Sequence, residues 1–415
     1  MPPLTAARSS ARTRPIGKVL SLFTGAGGLD VGLERAGLAT VACMEVDADA
    51  RAVLAANRPG WVMPGNGDVN TAAQYLTPRA LGMKRGELDL IAGGPPCQPF
   101  SKAAQWASTA RSGMEDDRAK CVHGMFDLVE SFLPRALLVE NVEGFLRGQG
   151  NASEVIDERL AGINDRHGTS YRMVAKVVDA ADYGVPQHRR RAIGIAYRDG
   201  AEVHLPEATH AGNPTRAWDV LWDLEEDDKP VATGQWAALL PSIPEGGNYL
   251  HLTARGDGEE LFGWRTRYWS FLLKLAKDRP SWTLPASPGP STGPFHWDNR
   301  PLSVREQMRL QTFPDGWRID QPFRAGRRMV GNATPPLLAE VLGRTIVRDL
   351  ELGGASARSR LLAGAPSLLP VRQLRVPRAV APVPIPEAYQ PHVGTKEAHP
   401  GEGVGPSPRR LATRG

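Results

Sequence analysis

Between Lys18 and about Ala196, short apolar runs rich in β-forming residues alternate with segments of helical period. The runs are KVLSLF, TVAC, LDLIAGG, ALLVE, MVAKVV and AIGIAY, and the helical segments include Asp47–Asn57 and Cys121–Phe132. Such alternation predicts an α/β fold with a doubly wound sheet, because each strand must be followed by a helix that returns the chain across a sheet face. From about Arg198 to Arg300 the texture changes: Trp, Pro, Gly and Asn become frequent, as in RPSWTLPASPGPSTGPFHWDNR, and the alternation is lost. A second, loop-rich domain accounts for this. Helical spacing returns over Val304–Thr312 and over Pro336–Leu352, the latter behind GNATPP, where prolines suit a helix start.

The 415 residues leave room for two domains plus appendages, and no run approaches the roughly 18 apolar residues of a membrane span. Nothing near the N-terminus reads as a secretory signal, so a soluble cytoplasmic protein is expected. The three cysteines, Cys43, Cys97 and Cys121, argue for a reducing compartment and against a disulfide framework. The net charge of +5 arises in the tails: residues 1–18 hold four basic and no acidic side chains, and residues 354–415 hold nine basic against three acidic. The stretch between them is net −5, so overall basicity is no evidence for nucleic-acid binding by the core. With ten prolines and no periodicity, residues 354–415 are expected to be a disordered tail, as are residues 1–16 at the other end.

Chemistry-bearing residues recur where strands should end. The first run leads into Phe23-Thr24-Gly25-Ala26-Gly27-Gly28, a tight glycine turn before a helix, where backbone can approach a ligand. About 20 residues on, Glu45 ends the second run, where a carboxylate can accept ribose hydroxyls. Asp68, in GNGDVN, falls where a third strand should end, and together the three describe an adenosine pocket. The run LDLIAGG ends in Gly94-Pro95-Pro96-Cys97-Gln98-Pro99-Phe100-Ser101. The three prolines hold that loop extended and present Cys97 as a nucleophile requires, whereas Cys43 and Cys121 read as structural. Glu140, after ALLV, is placed as a partly buried acid or as an ion-pair partner. Alternation through QHRRR puts Gln187, Arg189 and Arg191 on one face and His188 and Arg190 on the other, offering two guanidiniums to a phosphate or base, unless it is a solvated charge run.

In order, FTGAGGLDVG, MEVDADA, GDV, GGPPCQPFS, ENV, QHRRR and GNATPP resemble the motifs of the DNA cytosine-5 methyltransferase family, of the prokaryotic restriction-modification type, over about residues 17–352. The resemblance implies a Rossmann-like mixed sheet of the S-adenosylmethionine-dependent methyltransferases with a smaller loop-rich second domain. It divides the chain into a catalytic and cofactor domain (17–197), a target recognition domain (198–330) and a C-terminal helix packing back on the first (331–353). S-adenosylmethionine would be held by Phe23, Gly25, Gly27, Gly28, Glu45, Val46, Asp68, Val69, Pro96, Asn332 and Thr334, with Val46 departing from an aromatic that some members place against adenine. Cys97 would add to carbon 6 of a flipped-out cytosine while Glu140 meets ring nitrogen 3, and Arg189 and Arg191 would fix the base. Gln98, Ser101, Arg118 and Gln187 would contact DNA, with residues 102–120 a loop closing over it. Double-stranded DNA is the implied partner, with a cognate endonuclease that need form no stable complex, and a monomer is implied. A tRNA cytosine-5 methyltransferase on the same catalytic domain is the alternative. A non-catalytic binder would have lost Cys97, Glu140 or the glycines, and a nicotinamide dehydrogenase explains neither the PPC loop nor GNATPP.

Overall fold

The computed structural model describes residues 15–96, 120–145, 152–226, 229–262, 268–370 and 373–392. Six strands form one sheet: β1 (Gly17–Leu22), β2 (Leu38–Met44), β3 (Leu90–Gly93), β4 (Ala136–Asn141), β5 (Val174–Asp179) and β6 (Arg190–Tyr197), in the order β2-β1-β3-β4-β6-β5. β1 pairs in parallel with β2 and β3, and β3 with β4; β6 runs antiparallel to β4 and β5. The helices are α1 (Gly28–Arg35), α2 (Ala48–Asn57), α3 (Val69–Ala72), α4 (Lys120–Phe132), α5 (Ser153–His167), α6 (Ala217–Leu221), α7 (Val304–Leu310), α8 (Phe323–Asn332), α9 (Pro336–Asp349) and α10 (Ala355–Ala363). None of them is long and apolar enough to cross a membrane.

The strands other than the edge strand β5, which is exposed over residues 174–176, read as apolar runs because both faces of the sheet are covered there. Along β4, Leu137 and Val139 join a core with Leu20, Ile91, Phe126 of α4 and Ile156 of α5. Ala136 and Leu138 face the other way, toward Val19, Leu90, Leu33 of α1 and Leu342 and Ile346 of α9. Helix α9 lies directly on α1: a Cβ on Gly32 would fall 2.2 Å from the Pro336 carbonyl oxygen, so the two backbones meet there without a side chain between them. Since β1 sits between β2 and β3, successive crossovers leave it in opposite directions, and a crevice opens beyond the carboxyl ends of β1 and β3.

From Arg198 to Arg300 the described residues form α6, 3₁₀ turns and isolated bridges but no extended strand. Their cohesion comes from an aromatic cluster, in which Trp236, Tyr249, Phe262 and Phe271 meet edge to face, with Trp236 and Phe262 centroids 5.3 Å apart.

Three sequence expectations need correction. Asp68 does not end a strand: the Pro- and Gly-rich stretch before it makes only a single bridge, Ala42 to Val62, and Asp68 caps α3 by accepting from Asn70 N–H at 2.9 Å. Nor is the chain after Gly354 a disordered tail over the part described. Glu340 accepts from Ser367 and Leu368 N–H, and Arg344 donates to the carbonyls of Leu361, Gly364 and Ala365. The chain then crosses to the aromatic lobe, where Asp219 accepts from Leu374 N–H, Ser242 donates to the Pro384 carbonyl, and Ile385 and Tyr389 are buried in its core. Tyr389 stacks on Trp236 at 5.7 Å and donates to the Gln235 carbonyl at 2.7 Å. An extended proline-rich strap carries no period; it is fixed by main-chain groups and two apolar anchors on surfaces made elsewhere. Ile16, assigned to a disordered arm, is likewise tied, its N–H donating to Gly37 at 2.7 Å.

Candidate functional site

The crevice at the carboxyl edge holds a cavity of about 520 Å³, within the range of small-molecule sites. On one side the glycine turn forms its wall. Phe23 takes φ +55°, a left-handed conformation costly for a side chain, and Gly25 and Gly27 follow at +55° and +81°. The space above Gly25 is open, its nearest neighbour to an added Cβ being the Phe23 carbonyl at 4.0 Å, whereas a Cβ on Gly28 would strike the Thr334 carbonyl at 2.3 Å. Gly25 is thus free to let a ligand approach its backbone, and Gly28 lets the GNATPP segment close against α1.

Glu45 is buried at the end of β2, its two oxygens accepting from Gly25 N–H and Asp47 N–H, each at 2.7 Å. Those bonds fix the carboxylate and leave its remaining lone pairs toward the cavity. Asp68 Oδ1 is used by Asn70; Oδ2 has no partner among the described residues. Val46, 65% exposed, lines the same side with Val69. A glycine cradle with two fixed acceptors suits a ligand bearing ribose hydroxyls and an exocyclic amine, so the donor set fits S-adenosylmethionine.

The opposite wall is polar and buried. Glu140, only 6% exposed, faces the Arg191 guanidinium, Nε to Oε1, at 3.0 Å. That ion pair is not aligned as a hydrogen bond, and the buried Oε1 accepts none from any described residue. A buried carboxyl oxygen in this condition carries a desolvation cost that a ligand donor would relieve. Asn141 donates from Nδ2 to the Pro95 carbonyl at 2.9 Å, tying the end of β4 to the prolines that precede Cys97. Arg189 is buried and donates to the Gly331 carbonyl at 3.0 Å, while Asp179 accepts from its N–H at 2.8 Å.

The cavity therefore gathers Phe23, Gly25, Gly28, Glu45, Val46, Asp68, Val69, Pro96, Glu140, Arg189, Arg191, Asn332 and Thr334, all foreseen from the sequence. Gly27 lies in the turn behind it, its Cβ direction filled by Trp317 at 2.8 Å. Cys97, Gln98, Ser101 and Arg118 lie outside the described residues. Gln187 departs from its assignment to DNA: it is wholly buried, and its Oε1 accepts from Leu284 N–H at 3.1 Å, so it ties the sheet to the aromatic lobe rather than facing a duplex. The alternation argument found its face correctly, but the residue that covers it lies far along the chain. Cys121, read as structural, also lines the cavity, and burial pushes its thiol pKa up. Cys43 is fully buried, its thiol pushed up to about 12 by burial.

Sequence reasoning missed Arg328, which stands at the rim and pairs with Asp47 at 2.8 Å. The hydrogen bond from Arg328 holds the Asp47 carboxyl below its usual range. The signal was present in FRAGRRMVGN, whose helical spacing runs directly into GNATPP.

Residues 17–348 match the family model described as C-5 cytosine-specific DNA methylase. The chain is 35% identical over 370 residues to the Type II methyltransferase M.SacI of Streptomyces achromogenes, covering 80% of this chain and 93% of that protein. It is 33% identical over 355 residues to M.PspPI of Psychrobacter, with 80% and 79% covered. Among solved structures, a DNA modification methyltransferase encoded within an E. coli prophage superposes with a TM-score of 0.57 at 23% identity, over 80% of this chain and 99% of that one, which supports the fold. With the described parts of its motifs gathered around one cavity and four-fifths of its length matched, the chain belongs to the C-5 cytosine-specific DNA methylases and is a DNA cytosine-5 methyltransferase.

Proposed function

We propose that this enzyme is the modification methyltransferase of a Type II restriction-modification system, moving a methyl group from S-adenosylmethionine to carbon 5 of a cytosine flipped out of a short DNA sequence. The observation that carries the reading is the buried, unsatisfied Oε1 of Glu140, held beside Arg191 in the cavity that Gly25, Glu45 and Asp68 line.

S-adenosylmethionine, when bound, supplies an electrophilic sulfonium methyl. Phe23, Gly25 and Gly28 would hold its methionine end, with Gly27 shaping the turn from behind, Glu45 its ribose hydroxyls, and Asp68 with Val46, Val69 and Pro96 its adenine; Asn332 and Thr334 would close the site. Carbon 5 of cytosine is a weak nucleophile, so the ring must first be activated. The Cys97 thiolate adds to carbon 6 while Glu140 protonates or hydrogen-bonds ring nitrogen 3, turning the ring into an enamine whose carbon 5 can take the methyl. A base then removes the carbon 5 proton, and Cys97 leaves by elimination. Arg191 holds the Glu140 carboxyl in place, and Arg189 and Arg191 stabilise charge during addition. This chemistry needs the base outside the stack, at an unstacking cost of a few kcal/mol that pocket and phosphate contacts offset.

Residues 17–197 with 331–353 form the catalytic half and residues 198–330 the half that selects the target, with Gln98, Ser101 and Arg118 beside the DNA. The enzyme acts as a monomer in the cytoplasm and needs no stable complex with a cognate nuclease. The match to the DNA methylase family model and the likeness to Type II methyltransferases support duplex DNA rather than tRNA as the substrate.

The test is expression in a host lacking cytosine-5 methylation, followed by bisulfite sequencing of host DNA. Unconverted cytosines confined to one short motif are expected with the wild-type chain, and full conversion with Cys97→Ala or Glu140→Gln. Full conversion by a soluble wild-type protein that binds S-adenosylmethionine, or methylation by Cys97→Ala, contradicts the reading.

A further inference from the structure

The antiparallel β6 begins at the carboxyl edge of β4, so residues 186–190 lie at that edge, with Arg189 among them lining the cavity. There an extended segment of the aromatic lobe is bridged onto the catalytic half: Ser281 N–H donates to the Pro186 carbonyl at 2.9 Å, His188 N–H to the Ser281 carbonyl at 2.8 Å, and Thr283 Oγ1 to the His188 carbonyl at 2.6 Å. From this junction a row of rings runs outward. His188 meets Trp282 at 5.7 Å, and Trp282 meets Trp269 edge to face at 5.8 Å and 81°.

Both indoles are unusually open, Trp282 39% and Trp269 55% exposed, with Tyr268 beside them at 53%. Their backbones, by contrast, are fixed: Asn248 Nδ2 donates to the Trp269 carbonyl at 2.8 Å, and Trp282 lies within the bridged segment. His188 is held by Asp179 at 3.0 Å, and that hydrogen bond raises its pKa, favouring a cationic ring at the row's inner end. Fold stability gives no reason to leave two rigidly mounted indoles in water, since each would contribute more if buried. What they offer is a preorganised π surface that starts at His188, the residue next in the chain to Arg189 of the cavity lining.

We propose that Trp282 and Trp269 form a stacking wall for DNA next to the flipped cytosine, and so act as positioning residues for methyl transfer. The occupant is the duplex itself, at the nucleotides from which the target has been withdrawn, where base faces and sugars lose their stacking partner. Flat aromatic faces recognise such groups with little dependence on sequence. The proposal rests on the enzyme being a DNA cytosine-5 methyltransferase.

The test uses the full chain and a duplex carrying the motif found by bisulfite sequencing. Trp269→Ala and Trp282→Ala are each expected to raise Kd for that duplex about tenfold, the order measured for losing one aromatic–base stack. Cofactor affinity and melting temperature should match wild type, and Trp→Phe at either position should restore most of the affinity. Wild-type tryptophan fluorescence should be quenched by the duplex, and the double Trp→Phe variant should lose that quenching. A double alanine variant that keeps wild-type Kd and quenching overturns the proposal. So does one that melts early and loses cofactor binding in parallel, because the rings would then be a brace between lobes. A wild-type enzyme that neither binds nor methylates any duplex would instead remove the functional reading beneath it.

Discussion

At the scale of single residues, the site is built from polar groups whose burial is matched by specific partners, and one buried group off the reaction path has a measurable consequence. Asp30, wholly buried in α1, accepts from Ser21 Oγ at 3.0 Å and Thr40 Oγ1 at 2.9 Å, yet burial pushes its pKa up to about 7. Between the unperturbed value of 3.8 and about 7, the folded state holds a proton that the unfolded chain does not. Stability from this group is therefore fully present below that window and falls as pH rises through it, by roughly 4 kcal/mol in total. Asp30→Asn keeps the hydroxyl contacts without the charge, so its melting temperature should decline less than wild type from pH 5 to pH 8. Parallel profiles for the two proteins would rule out a proton on Asp30. The sequence disclosed the neighbouring site residues, Gly25, Glu45 and Glu140, because each follows an unbroken apolar run. It did not disclose Arg328 or the burial of Gln187. The helical spacing of FRAGRRMVGN places Arg328 just before GNATPP, but its pairing with Asp47, like the cover of Gln187 by the segment at Leu284, joins residues remote in sequence that no local pattern encodes.

At the scale of elements, all six strands were readable: those covered on both faces leave apolar runs, and the exposed edge strand β5 is marked by its β-branched valines. Asp68 was misplaced because Pro and Gly before it reduce a strand to one bridge, although the residue still reaches the cavity from the cap of α3. The contact of α1 with α9 sets local propensity against packing. In an isolated helix, alanine is favoured over glycine by about 1 kcal/mol. At Gly32 the added Cβ would meet the Pro336 oxygen at 2.2 Å and the Glu340 nitrogen at 2.6 Å, main-chain atoms that cannot rotate away. Gly32→Ala should accordingly lower stability, by about 1–3 kcal/mol as overpacked cores do. Urea unfolding reads this as a lower midpoint at unchanged slope, and a higher midpoint would show that propensity wins. Because α9 follows directly on Asn332 and Thr334, the same variant should weaken S-adenosylmethionine binding.

At the scale of the whole molecule, the strap from Gly354 to His392 lies outside the span matched by the family model, yet it joins the two halves. Ending the chain after Pro370 removes Ile385 and Tyr389 from the aromatic core and uncovers the face of Trp236 on which Tyr389 stacks. The shortened protein should keep S-adenosylmethionine binding, lose affinity for its DNA motif, and be cleaved by trypsin or chymotrypsin first within residues 230–300. An unchanged digestion pattern and DNA affinity would show the strap to be dispensable. Composition suggested disorder here because proline-rich chain has no period, and only the surface it lies on determines its path.

The strap also imposes an order of assembly. Every strand of the sheet has been made by Tyr197 and the helix closing the cofactor site by Asp349, whereas the aromatic core waits for Tyr389, whose partner Gln235 was made 154 residues earlier. Chains fold as they emerge, N-terminal parts first. On the ribosome, the half proposed to carry the methyl-transfer chemistry is therefore made while the half proposed to choose the target is still open, so a nascent or prematurely ended chain would hold the reaction without the address.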